Sequence, residues 1–164
     1  MDIFWEELTS GLPNARQLVH VIIRLIAATL LGAVVGIQRE RAGKPAGLRT
    51  HILVTLGTTV FVLACSGVGM SSDGLSRVIQ GIVTGIGFIG AGSILKLNEE
   101  RAIQGLTTAA GVWMTAAIGV AVGLGSLGVA LLSTLFTLII LALAGQHDLR
   151  AEKKRAANVE GTDS

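Results

Sequence analysis

GIGFIGAGSIL (Gly85 to Leu95) and QGLTTAAGVWMTAAIG (Gln104 to Gly119), joined by a short charged hinge, decide how this chain folds. Both runs are apolar, yet they are studded with Gly, Ala and Thr instead of bulky aliphatic residues. A span that meets only lipid needs grease alone. Small residues let helix backbones approach closely, and threonine hydroxyls can bond across helices, which is how membrane helices hold one another. The expectation is a compact polytopic bundle.

Composition points the same way. Of 164 residues, 51% are hydrophobic and 22 are glycine, and the mean hydropathy of +0.68 lies far from that of a water-soluble domain. Charged residues make up 15% and cluster at the ends of apolar runs, marking loops. Cys65 lies alone within an apolar run, so no disulfide framework is available and soft metal ligands are too few; it reads as a small core residue. Met1 to Glu7 carries three acids and no basic region, unlike a cleaved secretory signal.

Crossing the hydrocarbon takes about 20 helical residues, with about 17 as the lower limit. Five spans fit: Val19 to Gln38, Ile52 to Gly69, Val78 to Leu95, Leu106 to Leu124 and Leu127 to Ala144. The segment after span one holds Arg39, Arg41, Lys44 and Arg49; that after span three holds Lys96 and Arg101; the tail holds Arg150, Lys153, Lys154 and Arg155. The segment after span two carries only Arg77 beside Asp73, and spans four and five meet at uncharged Gly125-Ser126. Basic residues collect on the cytoplasmic side of membrane proteins, so the N-terminus is expected outside and the C-terminus inside.

The expected organisation is an extracytoplasmic or interfacial N-terminus (1–18) with Trp5 as an anchor, a five-helix transmembrane domain (19–144), and a cytoplasmic basic tail (145–164). The tail has almost no bulky apolar side chain and is expected to be mostly disordered or fraying. Lys153, Lys154 and Arg155 read as topology determinants, with contact to anionic lipid as the alternative.

Span texture predicts architecture. Span five is bulky and aliphatic, hence peripheral. Span three carries Gly81, Gly85, Gly87, Gly90 and Gly92, each costing a helix interior about 1 kcal/mol relative to Ala. The expected compensation is a central, closely packed position, or else an irregular backbone along a cavity. Gly32 and Gly36 in span one, and Gly119 and Gly123 in span four, form two further small-xxx-small faces suited to packing within the chain or to a homodimer.

Gly85 to Gly90 matches G-x-G-x-x-G, but it sits in mid-span without a βαβ context and is not a dinucleotide site. His20, His51 and His147 accompany no nucleophile motif, and the acids occur only in loops or at span ends. An enzyme is not expected.

Ionisable groups at membrane depth are costly and therefore functional candidates. Arg24 belongs to span one, because Leu25 to Ile37 alone is too short to cross. It either snorkels outward or holds a specific partner, with Asp73 as the candidate counter-ion. At the inner end, Glu40 could face Thr50 and His51 across a turn built on Gly43, Pro45 and Gly47, giving an oxygen-rich pocket of the kind hard cations use; otherwise this is a solvated topogenic loop.

At these residues the chain resembles the MgtC/SapB family of bacterial inner-membrane proteins. GAVVGIQRERAGKPAGLRTHILVTLG, GIGFIGAGSIL and GLTTAAGVWMTAAIGVAVGLG are similar to its three signature stretches, in order, from about Arg24 to about Gly145. The resemblance implies five spans and a role in magnesium homeostasis and growth in low magnesium, with acid tolerance and, in pathogens, survival inside macrophages. It implicates Arg24, Gly36, Arg39, Gly47, Leu48, Arg49, Thr50, Gly85, Gly87, Gly90, Gly92, Gly105, Leu106, Thr108 and Ala109. Many members have Glu in a G-L-E-R run where this chain has Gln38, with an acid at Glu40 instead. Long members continue into a soluble cytoplasmic domain, so the chain reads as a short form.

The candidate binding set is therefore Arg24, Arg39, Glu40, Arg49, Thr50, His51, Thr107 and Thr108, without catalytic residues and without an assigned metal site. No cofactor is expected; Mg²⁺ enters only as ligand or transported ion. Expected partners are the bilayer, a second copy of the chain, or another membrane protein such as a P-type ATPase or the ATP synthase, and not nucleic acid. Two functions compete. A regulator of another membrane protein fits the lack of mid-membrane carboxylates, whereas a transporter or channel for a small ion, plausibly magnesium, fits the glycine-broken third span.

Overall fold

The structure, a computed structural model, describes residues 3–4, 14–67, 69–96 and 103–160. Five long helices follow one another: α1 (Ala15–Arg41), α2 (Leu48–Gly67), α3 (Ser72–Gly92), α4 (Leu106–Gly123) and α5 (Leu127–Glu160). Between α3 and α4, β1 (Leu95–Lys96) pairs antiparallel with β2 (Ile103–Gln104), a two-residue ladder in an otherwise helical fold. Helices α1 to α4 each contain a stretch long and apolar enough to cross a bilayer. The apolar stretch Leu127–Leu143 of α5 reaches the lower limit of about 17 residues. Apart from that short ladder the protein is an all-helical, polytopic membrane protein.

Local capping explains where the helices depart from the spans drawn on hydropathy. Helix α1 begins at Ala15, not Val19, because the Asn14 side chain accepts from the Gln17 amide at 2.9 Å while the Gln17 side chain accepts from the Asn14 amide at 3.2 Å. Helix α3 begins at Ser72, six residues before the expected Val78: the Ser71 hydroxyl accepts from the Gly74 amide at 3.2 Å, and Asp73 lies in the first turn, where acids suit the helix dipole. Helix α2 begins at Leu48, whose amide donates to Glu40 Oε2 at 3.1 Å.

The tail differs from expectation. Helix α5 runs on to Glu160 instead of fraying after Ala144. Continuation adds residues to a formed helix without a new nucleation cost, and the segment is rich in Ala, Glu, Lys, Arg and Leu, all good helix formers. The lipid-contact reading of Lys153, Lys154 and Arg155 and the Trp5 anchor lie outside the described side chains.

The expected centrality of span three is also corrected. Helix α4 touches every other helix, and 56% of its apolar window is buried; for α3 the figure is 11%. Two apolar clusters form the core. Ala28 and Val35 of α1, Ile118 and Val122 of α4, and Ala130 and Leu141 of α5 make one. Ala46, Ile86, Val112 and Ala116 make the other, with Val54 against it. Helix α5 turns bulky residues outward, Leu131, Leu135, Phe136 and Ile140 among them, as a lipid-facing helix should.

Candidate functional site: a buried polar seam

The glycines that do join helices lie on α1 and α4. A Cβ added at Gly32 would strike the Thr55 hydroxyl and stand 2.8 Å from the His51 carbonyl oxygen, and one at Gly36 would stand 2.6 Å from Leu48 Cα. Further along the same side of α2, a Cβ at Gly119 would strike the Thr58 hydroxyl and come within 3.0 Å of Thr55 Cα, and one at Gly123 would come within 2.6 Å of Val62 Cβ. Helix α2 thus lays one stripe, from Leu48 to Val62, against the GAVVG face of α1 and then the GVAVG face of α4.

Contact this close brings the hydroxyls of α2 to the backbone of α4. Thr59 donates to the Gly119 carbonyl at 2.8 Å, linking the two helices directly. Thr55 and Thr58 donate to carbonyls within α2. His51, wholly buried, sets Nδ1 2.7 Å from Thr115 Oγ1. Because the Thr115 hydroxyl proton points to the Gly111 carbonyl at 2.8 Å, Nδ1 is the donor in that contact. The ring lies beside Gly111 and Nε2 is buried, with no hydrogen-bond partner among the described residues. One further layer inward, Arg39 is 2% exposed and donates from Nη2 to Thr108 Oγ1 at 3.1 Å. The result is a continuous seam of Arg39, Thr108, His51, Thr115, Thr55 and Thr59 at the α1, α2 and α4 junction.

The other candidates fall elsewhere. Arg24 does not meet Asp73. Its guanidinium donates to the Gly123 carbonyl at 2.8 Å and covers Gly125, which has φ +81 and leaves only 2.6 Å between an added Cβ and Arg24 Nη2. A cation at the C-terminus of α4 meets the negative end of the helix dipole and an otherwise unsatisfied carbonyl. The expected pocket of Glu40, Thr50 and His51 does not assemble: Glu40 is exposed and caps α2, whereas His51 turns inward to Thr115. Arg49 and Thr107 are exposed, and Thr50 is half-buried. Gln38 is half-buried with Oε1 lacking a hydrogen-bond partner among the described residues.

The span-three glycines do not pack as expected. A Cβ added at Gly81, Gly85, Gly87 or Gly92 would meet nothing within 4 Å, and at Gly90 it would make ordinary contact with Ala109. Two open grooves flank α3: one of about 650 Å³ towards α2, bordered by Gly57, Gly81 and Gly85, and one of about 470 Å³ towards Leu124. Ile86 and Gly90 are its buried residues. Sequence reasoning missed the α2 threonines, although Thr55, Thr58, Thr59 and Val62 recur at helical spacing and match Gly119 and Gly123 on α4.

Among the described residues no three His, Cys, Asp or Glu side chains gather as a metal group. Fold and seam together define a multi-pass membrane protein whose helices are joined through glycine contacts and buried hydroxyls. The MgtC family profile matches residues 25–148, and the chain belongs to that family. It is 44% identical over 130 residues to SrpB of Synechococcus elongatus, covering 73% of this chain and 71% of SrpB. It is 41% identical over 143 residues to YhiD of Escherichia coli K12, which carries a provisional name as a magnesium transporter; the match covers 81% of this chain and 64% of YhiD. It is 44% identical over 129 residues to MgtC of Salmonella typhimurium LT2, covering 77% of this chain and 54% of that protein. The chain therefore spans less than two thirds of the length of the latter two relatives. No solved structure matches it.

Proposed function

We propose that this protein sits in the bacterial inner membrane and serves magnesium homeostasis and adaptation to low magnesium as a regulator of another membrane protein, without catalysing a reaction. The observation that carries the reading is the closure of the seam. The hydroxyls of Thr55, Thr58, Thr59 and Thr115 bond to backbone carbonyls, and glycine contacts press α2 onto both neighbours. A path for a divalent ion needs oxygen ligands free to replace its water. Such ligands are scarce where the hydroxyls are turned to carbonyls and pressed against glycine backbone, and among the described residues the nearby carboxylate, Glu40, is exposed at the inner edge. The family supplies the link to magnesium.

A second reading, a transporter of a small ion, is favoured by the name of YhiD and by the depth of Arg39 and His51. Purified protein in liposomes loaded with a magnesium-sensitive dye separates the two. The regulator gives no magnesium flux above empty vesicles. Saturable flux that disappears in Thr108→Val would overturn it.

A further inference from the structure

The inner end of α1 has a face that grades from apolar to cationic within two turns. An open groove of about 570 Å³ runs along it, bordered by Val34, Ile37, Gln38, Arg41 and Ala42, which recur at three- and four-residue intervals. Val34 and Ile37 are exposed apolar side chains at one end of the groove. Arg41, exposed in the last turn of α1, stands at the other end, about 10 Å along the helix axis from Val34. Gln38 lies between them. Its Oε1 is shut away inside the protein, whereas its amide nitrogen is neither buried nor hydrogen-bonded among the described residues, so the nitrogen is the polar atom that the groove receives. The Arg41 guanidinium likewise forms no hydrogen bond or ion pair among the described residues. Two residues earlier, Arg39 is instead turned inward onto Thr108.

The polar end of the groove therefore offers donors alone, a guanidinium fork and an amide N–H one turn apart, and the other end offers hydrocarbon contact. Donors of this kind suit a phosphate, which a guanidinium holds through two parallel N–H···O bonds. A free phosphate would leave Val34 and Ile37 unmatched. A phospholipid matches both ends in order, with its phosphate at the membrane surface and an acyl chain towards the bilayer centre. Charge then selects the lipid. Lys44 and Arg49 follow at the same end, and the acid among them, Glu40, is engaged by the Leu48 amide. That surplus of positive charge disfavours an ammonium headgroup and favours one whose only charge is its phosphate. We propose that the inner end of α1 binds one anionic phospholipid of the phosphatidylglycerol type, with Arg41 and Gln38 on its phosphate and Val34 and Ile37 along an acyl chain. The site is independent of the regulatory reading, and it holds either way up in the membrane because both leaflets present phospholipid.

The experiment is native mass spectrometry of the full chain released from detergent micelles that contain phosphatidylglycerol or phosphatidylethanolamine at equal concentration. Wild-type protein retains one phosphatidylglycerol in preference to phosphatidylethanolamine. Arg41→Gln removes charge-assisted hydrogen bonds at an exposed position and weakens that retention about tenfold, and Gln38→Leu weakens it less. Arg49→Gln, which removes the same charge outside the groove, leaves retention unchanged, and excess inorganic phosphate does not displace the lipid. In detergent free of phospholipid Arg41→Gln melts with the wild type, which separates lost binding from lost fold. The idea is overturned by equal retention of the two lipids, by wild-type retention in Arg41→Gln, by a loss in Arg49→Gln as large as that in Arg41→Gln, which would mean surface charge alone, or by displacement with inorganic phosphate, which would mean an anion site without lipid. Any of these results leaves the magnesium-flux measurement, and with it the regulatory reading, untouched.

Discussion

Arg24 shows how one side chain can be read correctly for cost and wrongly for partner. Its position within an apolar span was legible, since the following residues are too few to cross a bilayer. The counter-ion was sought among acids, but the partner is a backbone group, the Gly123 carbonyl that the end of α4 leaves unpaired. No side-chain pattern announces a carbonyl. The contact predicts an order of damage. Arg24→Leu forfeits a charge-assisted hydrogen bond and a dipole contact, about 1–3 kcal/mol, and lowers the apparent melting point in detergent. Arg24→Lys keeps a charge near the end of α4 but loses the planar fork, so it loses less. If Leu and Lys melt with the wild type, the Arg24 contact does not hold α1 to α4. His51 carried the converse lesson: its polarity and its place at a span end suggested a facing acid, whereas the i+4 spacing of Gly111 and Thr115 on another helix decided its environment.

At the scale of helices, glycine count was a poor guide and glycine register a good one. Span three is the richest in glycine, yet its Gly81, Gly85, Gly87 and Gly92 border open grooves or the outer surface, because the bulky Ile86 takes the inward position. The paired glycines of α1 and α4 each have a threonine, valine or leucine of α2 opposite, and there the backbones meet. Adding a single methyl group therefore has opposite signs at two positions. Gly119→Ala must displace the backbone around Thr55, with an overpacking cost of about 1–3 kcal/mol. Gly85→Ala meets nothing and removes a helix-weakening residue, a gain of about 0.5–1 kcal/mol. Melting curves of the two purified variants check this, and a fall at Gly85 comparable to that at Gly119 would return α3 to the centre of the bundle. The number and order of helices were readable because apolar length and charge clusters report on lipid directly. Their starts were misplaced because Asn14, Ser71 and Glu40 act through caps, which hydropathy does not register.

For the whole molecule, the remaining quantity is orientation, which packing alone does not set, since the bundle is the same object either way up. Charge breaks that symmetry. The turn from α1 to α2 and the segment from α3 to α4 lie at one end of an up-and-down bundle, and α5 points its C-terminal half the same way. That end collects Arg39, Arg41, Lys44, Arg49 and Lys96, with Arg101 in the intervening sequence and the basic residues from Arg150 on following α5, whereas the other end offers Arg24, held by Gly123, and Arg77 beside Asp73. Moving basic loops outward across an energised membrane is opposed, so the prediction is that the rich end stays in the cytoplasm and α1 starts outside. A phosphatase reporter fused after Asp73 is then active, and one fused after Asn98 is inactive; a fluorescent protein that matures only in the cytoplasm gives the reverse pattern. The same frame places Arg24, Asp73 and Arg77 at the outer rim and Arg39, Glu40 and Thr108 at the inner one. Activity of the phosphatase at Asn98 and silence at Asp73 would invert the molecule, and would put the buried Arg39–Thr108 contact on the side of the membrane that faces external magnesium.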